Sequence, residues 1–217
     1  IRAVRELKNL KNNKPSEVYY LAAYHHSAQE LQEEALVLFE KSYSVHVQGL
    51  LNFLEAIRLY SPQTRLFYAA SSLVYDPNIA SESNLLDEMS PMRPDSVYGI
   101  TKQTGILSCQ FYRKTYQVFA SSGILFNHES PLRADKFLSK KLVKAAVDIH
   151  LGKKEQLILG DLSSRVDWSA AEDFVEAFQL ILQTKNSDDF VLASGVARGV
   201  TDFARIAFET LKLNWKD

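Results

Sequence analysis

Tyr98 and Lys102 stand four residues apart in "YGITK", at the start of a helical pattern, so their side chains share one helix face. A free tyrosine has a pKa of about 10. An ammonium group beside it stabilises the phenolate, and the pair can then exchange a proton with a substrate hydroxyl near neutral pH. The same ammonium can hold a cofactor ribose. Ser71 and Ser72 end an apolar run, "RLFYAAS" (65–71), and open α/β sheets bind ligands at the carboxyl ends of their strands. A serine hydroxyl, a phenol and an ammonium gathered there would align one substrate hydroxyl for hydride removal. Plainer readings exist for both pairs: an exposed tyrosine beside a solvated lysine, and serines that cap or turn the chain.

The elements that must position these groups follow from hydrophobic periodicity. Ile1, Val4, Leu7 and Leu10 repeat at helical spacing over 1–11, and Asn12–Pro15 breaks the pattern. "EVYYLAA" (17–23) reads as a strand. Residues 33–60 read as one long helix with Leu50, Leu51, Leu54 and Ile57 on its inner face. A second strand covers 65–71 and a long turn-rich connection covers 76–96, longer than ordinary loops and therefore functional in expectation. A helix at 97–116 and a strand at 118–127 complete a strand–helix alternation. That alternation predicts an α/β fold, a Rossmann-like doubly wound parallel sheet with a smaller C-terminal substrate-binding region. Residues 1–127 form the dinucleotide-binding part in this reading. Residues 128–217 form mainly the substrate-binding part, with a segment near 167–195 returning to the first. The second part is expected to hold helices at 136–151, 171–184 and 200–213 and short strands at 156–160 and 190–194.

Composition bounds the rest. The 217 residues are 46% hydrophobic with a net charge of −1, so no basic field points to nucleic acid. No apolar run approaches the ~20 residues a membrane-spanning helix needs. Cys109 is the only cysteine, which excludes an intrachain disulfide and suits a reducing, cytoplasmic setting. Its place between Ser108 and Gln110 in a helical segment favours packing over nucleophilic chemistry. No His, Cys or Asp spacing resembles a metal site. The eight glycines form no Gly-rich phosphate turn, so the chain is expected either to have no such site or to lack the first strands of the sheet.

Longer stretches carry a family resemblance. "GILFNHESPLR" (123–133), "EVYYLAAYHHS" (17–27), "GLLNFLEAIR" (49–58), "LILGDLSSRVDWSAAEDFVEAF" (157–178) and "DDFVLASG" (188–195) resemble motifs of the GDP-mannose 4,6-dehydratase family, extended short-chain dehydrogenase/reductases that act on nucleotide sugars. The resemblance runs over nearly the whole chain. It implies Tyr98 as catalytic acid/base, Lys102 as its partner and ribose ligand, and Ser71, with Ser72 beside it, at the sugar 4-hydroxyl. It implies Ala22, Ala23 and His128 beside the cofactor, which would be tightly held NADP, with NAD as the alternative. It implies Asn127, Glu129, Ser130, Arg133, Lys140 and Arg165 around a nucleotide sugar such as GDP-mannose, and a homodimer or homotetramer. His26 matches the family's histidine, and at most one of His25 and His26 can face the site.

One departure bears on the reaction. The family's strand-end motif S-T-S-E-L-Y-G reads Ala70-Ser71-Ser72-Leu73-Val74-Tyr75-Asp76 in this chain. The glutamate that exchanges the C5 proton and assists water loss at C6 in the family is replaced by Leu73, which has no proton to exchange. Asp76 and Glu129 are the two carboxylates that could in principle substitute. A 4-epimerase or 4-ketoreductase, which needs no such glutamate, is the alternative enzyme. A catalytically silent homologue that pairs with an active subunit is the alternative outside enzymes.

Overall fold

The computed structural model describes residues 14–25, 34–77, 85–159 and 162–214. The helix expected over 1–11 lies outside them. The chain divides into two compact units, one of residues up to Phe126 with Val175–Leu192, the other of Asn127–Phe174 with the residues from Ala193 on. Among the described residues no helix is long and apolar enough to cross a membrane.

The first unit is built on four parallel strands: β1 (Glu17–Tyr20), β2 (Arg65–Ala69), β3 (Ala120–Leu125) and β6 (Asp189–Leu192), in the order β1-β2-β3-β6. Tyr20 stands opposite Tyr68, Ala69 opposite Gly123, and Leu125 opposite Leu192. Parallel strands need long crossovers, and helices supply them. α1 (Ala35–Tyr43) and α2 (Leu50–Tyr60) join β1 to β2, and α3 (Val97–Tyr116) joins β2 to β3. Leu50, Leu54, Ile57, Ile106 and Cys109 from these helices close over Leu66, Tyr68 and Ile124. On the other face Phe67 stacks on Phe178 at 4.3 Å, from α5 (Ala171–Gln183). Both faces are therefore covered, as continuous apolar strands require. Cys109 is fully buried and its thiol is pushed up to about 12 by burial, which makes it a packing residue.

The helix expected over 33–60 is formed continuously from Ala35 to Tyr60, but not as α-helix throughout. A π-helical turn, Ser44–Gly49, separates α1 from α2 and turns His46 and Val47 into the interior. Tyr20 explains part of the local geometry: its hydroxyl donates to the Val45 carbonyl, and a β-carbon at Gly49 would collide with that hydroxyl.

The second unit holds a small mixed sheet that periodicity did not reveal. β4 (Asn127–Glu129) pairs parallel with β5 (Arg165–Ala170), which pairs antiparallel with β7 (Ala197–Gly199). Two of these strands have only three residues, too short for a period of two to register. The strand expected at 156–160 is not formed over its described residues. Leu157 and Leu159 instead pack against Leu142, Val200 and Ala204, on α4 (Leu138–His150) and α6 (Val200–Thr210). Asp167 is buried and accepts from the Ser194 and Gly195 amides at 2.9 and 2.8 Å, fastening β5 to the turn before β7.

Candidate active site

The N-terminus of α3 is set by Ser96, whose hydroxyl accepts from the Gly99 amide at 3.1 Å. Tyr98 lies in the first helical turn, half-buried, and Lys102 one turn later is 1% exposed. Lys102 is thus not a solvated lysine. Its ammonium donates to the Ala69 carbonyl at 2.7 Å and lies 5.2 Å from the Tyr68 ring centre and 5.6 Å from that of Tyr98. Burial pulls its pKa down to about 7. Ala69 takes only one of its three donors, and no other acceptor engages it among the described residues. An additional oxygen ligand, such as a ribose hydroxyl, fits that unused capacity.

Ser71 follows β2 and caps a single 3-10 turn, Ser72–Val74, its hydroxyl oxygen accepting from the Leu73 amide at 3.2 Å. The turn-forming role is therefore present. The hydroxyl proton has no acceptor among the described residues and remains available to a ligand. This turn lies against α3, where a β-carbon at Gly99 would strike the Leu73 carbonyl. The Leu73 side chain is 51% exposed, so an apolar group stands open to solvent at the position where the resemblance implies a carboxylate.

The loop after β1 brings further groups. Ala22 and Ala23 are exposed, with no side chain large enough to block a ligand. His25 meets the Tyr98 ring edge-on at 5.5 Å, and His46 meets it edge-on at 5.0 Å. His26 lies outside the described residues. Sequence reasoning passed over His46 as one residue within a long helix. The π-helical turn that aims it inward leaves no recognisable pattern in the residues themselves.

The remaining candidates belong to the second unit. Asn127 is exposed at the start of β4. His128 stacks on Phe174 at 4.5 Å. The Glu129 carboxylate accepts from the Ser139 hydroxyl at 2.6 Å and pairs with Arg133 at 3.3 Å, so it is committed to its own loop. Arg133 also lies over the Phe137 ring at 3.6 Å. Ser130 accepts from the Leu132 amide, and Lys140 donates to the Pro131 carbonyl at 2.7 Å. These residues gather around 127–140. Arg165 does not join them through β5: it sits opposite Gly199, three residues before Trp168, the partner of Asn127, or about 10 Å along the strand. Its guanidinium donates to the Ala197 carbonyl at 2.8 Å. Among the described residues no cluster of His, Cys, Asp and Glu could hold a metal ion.

The family pattern described as GDP-mannose 4,6 dehydratase matches residues 4–217. GDP-mannose 4,6 dehydratase 2 of Arabidopsis thaliana is 37% identical over 208 residues, covering 94% of this chain and 53% of that protein. GDP-mannose 4,6-dehydratase of Sinorhizobium fredii is 36% identical over 205 residues, covering 94% of this chain and 56% of that one. The chain thus spans about half the length of the curated relatives it matches. Among solved structures, dTDP-glucose 4,6-dehydratase from Bacillus anthracis in complex with NAD superposes with a TM-score of 0.82 at 20% identity, covering 99% of this chain and 63% of its own. RMD from Pseudomonas aeruginosa complexed with NADPH gives 0.83 at 19% identity, covering 97% and 71%. These structures establish the fold, and the match over residues 4–217 establishes the lineage: the chain belongs to the GDP-mannose 4,6-dehydratase family.

Proposed function

We propose that this chain acts on a nucleotide sugar, GDP-mannose in the first instance, as part of an enzyme of the GDP-mannose 4,6-dehydratase type with a nicotinamide cofactor, NADP. The observation that carries the reading is the burial of Lys102 against the Ala69 carbonyl, one helical turn from Tyr98. NADP, when bound, would supply the hydride acceptor. Tyr98 takes the proton from the sugar 4-hydroxyl at its phenolic oxygen while Ser71 orients that hydroxyl. Lys102 stabilises the phenolate and holds the ribose, and Ala22 and Ala23 shape the cofactor wall. In the second unit Asn127, Ser130 and Arg133 are the groups that would contact the sugar nucleotide, while Glu129 and Lys140 shape their loop and Arg165 stands apart from them. A homodimer is supported by Ile100, Leu107 and Phe111, which stay exposed along one stripe of α3.

Leu73 favours a second reading. Dehydration needs a group that takes the C5 proton and returns one to the departing hydroxyl, and an exposed leucine can do neither. C4 oxidation and reduction need only Ser71, Tyr98 and Lys102, which suits a 4-epimerase or 4-ketoreductase. The full-length protein incubated with GDP-mannose and NADP separates the two. A 4-keto-6-deoxy product supports dehydration, and inversion at C4 without loss of water supports epimerisation. Absence of both turnover and NADP binding would overturn the proposal and leave a silent homologue.

A further inference from the structure

The π-helical turn Ser44–Gly49 is fastened to the β1 edge at two points. The Tyr20 hydroxyl donates to the Val45 carbonyl, and the Tyr24 amide donates to His46 Nε2 at 2.9 Å. These two residues bracket Leu21-Ala22-Ala23, so the exposed segment is strapped down on both sides. The Tyr24 amide can only donate, which leaves Nε2 unprotonated and puts the imidazole hydrogen on Nδ1. Nδ1 lies 2.8 Å from the Thr101 hydroxyl oxygen, which itself reaches the Val97 carbonyl at 2.9 Å in the first turn of α3. The direction is consistent throughout: Tyr24 amide to His46, His46 to Thr101, Thr101 to Val97. The imidazole is 0% exposed and packs edge-on against Tyr98.

We propose that His46, as the neutral Nδ1–H tautomer, is a positioning residue that fixes the Ala22–Ala23 segment and the first turn of α3 in register, and thereby the Tyr98 phenol. The catalytic part of this role rests on Tyr98 being the acid/base of the proposed reaction. Protonation of Nε2 would set a hydrogen against the Tyr24 amide hydrogen. Burial is the main cause that lowers the His46 pKa to about 3, with the Lys102 charge and His25 adding to it. The imidazole thus stays neutral over the range in which Tyr98 would work.

Nitrogen-15 histidine NMR on the chain as it stands tests the geometry without any activity. The expected result is an Nδ1-protonated His46 that does not titrate between pH 8 and 5. An Nε2–H tautomer, or titration in that range, would overturn the proposal whatever the reaction. Kinetics of the full-length protein test the role. His46→Phe keeps the ring shape and loses both bonds, and should lower kcat about tenfold or more with the nucleotide-sugar KM within about twofold. His46→Asn can keep a donor near the Nδ1 position for Thr101 and should recover most of kcat. Thr101→Val, a smaller change to the core, should move kcat in the same direction as His46→Phe if that variant does not fold. Unchanged kcat in both His46→Phe and Thr101→Val would overturn the positioning role while leaving the reading of Tyr98 intact. A parent protein without turnover would instead overturn that reading, and the catalytic role of His46 with it.

Discussion

The ammonium of Lys102 donates to the carbonyl oxygen of Ala69, the last residue of β2, at 2.7 Å. This contact ties the first turns of α3 to the carboxyl end of a central strand, where a ligand of a parallel sheet sits. It puts a cation in the interior, and that has a cost. A charge removed from water is held by one carbonyl and two ring faces, and its pKa falls to about 7.

The cost gives stability a pH dependence of known sign. The folded pKa is near 7 and the unfolded value is 10.5, so between them the unfolded chain binds more protons and stability rises with pH. At pH 6 the full penalty is present. Lys102→Met should be more stable than the parent there, by on the order of a few kcal/mol less the lost Ala69 bond, and the advantage should vanish above about pH 10.5. Urea midpoints of both proteins at pH 6 and pH 9 measure it. Equal differences at the two values would contradict the buried cation.

Tyr98→Phe removes the phenolic oxygen and keeps the ring that touches His25 and His46. Turnover should fall by about a hundredfold or more, with the melting temperature close to that of the parent. Retained redox turnover would remove Tyr98 from the chemistry.

His46 gives the opposite end of the pH scale. Its folded pKa is lowered to about 3 and its unfolded value is 6.5, so its neutral form contributes stability that is complete above about 6.5 and lost as pH falls toward 3. His46→Gln should flatten the acid limb of stability over that window, read from urea midpoints at pH 7 and 4.5. An acid limb identical to the parent's would show that His46 is not buried neutral.

Gly105 meets the aromatic ring of Tyr68, the ring that lies under the Lys102 ammonium, and a β-carbon there would overlap it. Gly105→Ala should destabilise the fold by about 1–3 kcal/mol, because a fully buried ring must shift to make room for the added carbon. Chemical denaturation checks this, and a stabilised variant would show that helix propensity outweighs the overlap.

The parallel sheet was legible because its strands are continuous apolar runs separated by helical periods. Tyr98 and Lys102 were legible as a pair because their spacing is local. That Lys102 would be buried was not legible, since a lysine at a helix start gives no sign of what packs on it. His46 was hidden for a similar reason: both its partners, Tyr24 and Thr101, are distant in sequence. The commitment of Glu129 to Arg133 and Ser139, and of Lys140 to Pro131, likewise depends on how the loop at 127–140 folds back on itself.

Leu73 bears on which of the two proposed reactions the site would complete. Its carbonyl rests against Gly99, next to Tyr98, while its side chain is half exposed. A glutamate can replace it without entering the core, so Leu73→Glu should fold with little change in stability. Glu129 is an unpromising substitute because Arg133 and Ser139 already hold its carboxylate. The variant is therefore expected to gain water elimination: where the parent with GDP-mannose and NADP exchanges or inverts C4 only, Leu73→Glu should yield the 4-keto-6-deoxy sugar. Mass spectrometry reads the loss of 18 Da directly. Elimination by the parent at the rate of the variant would mean that another group supplies the proton transfer, and His25, edge-on to Tyr98, is the next residue to replace.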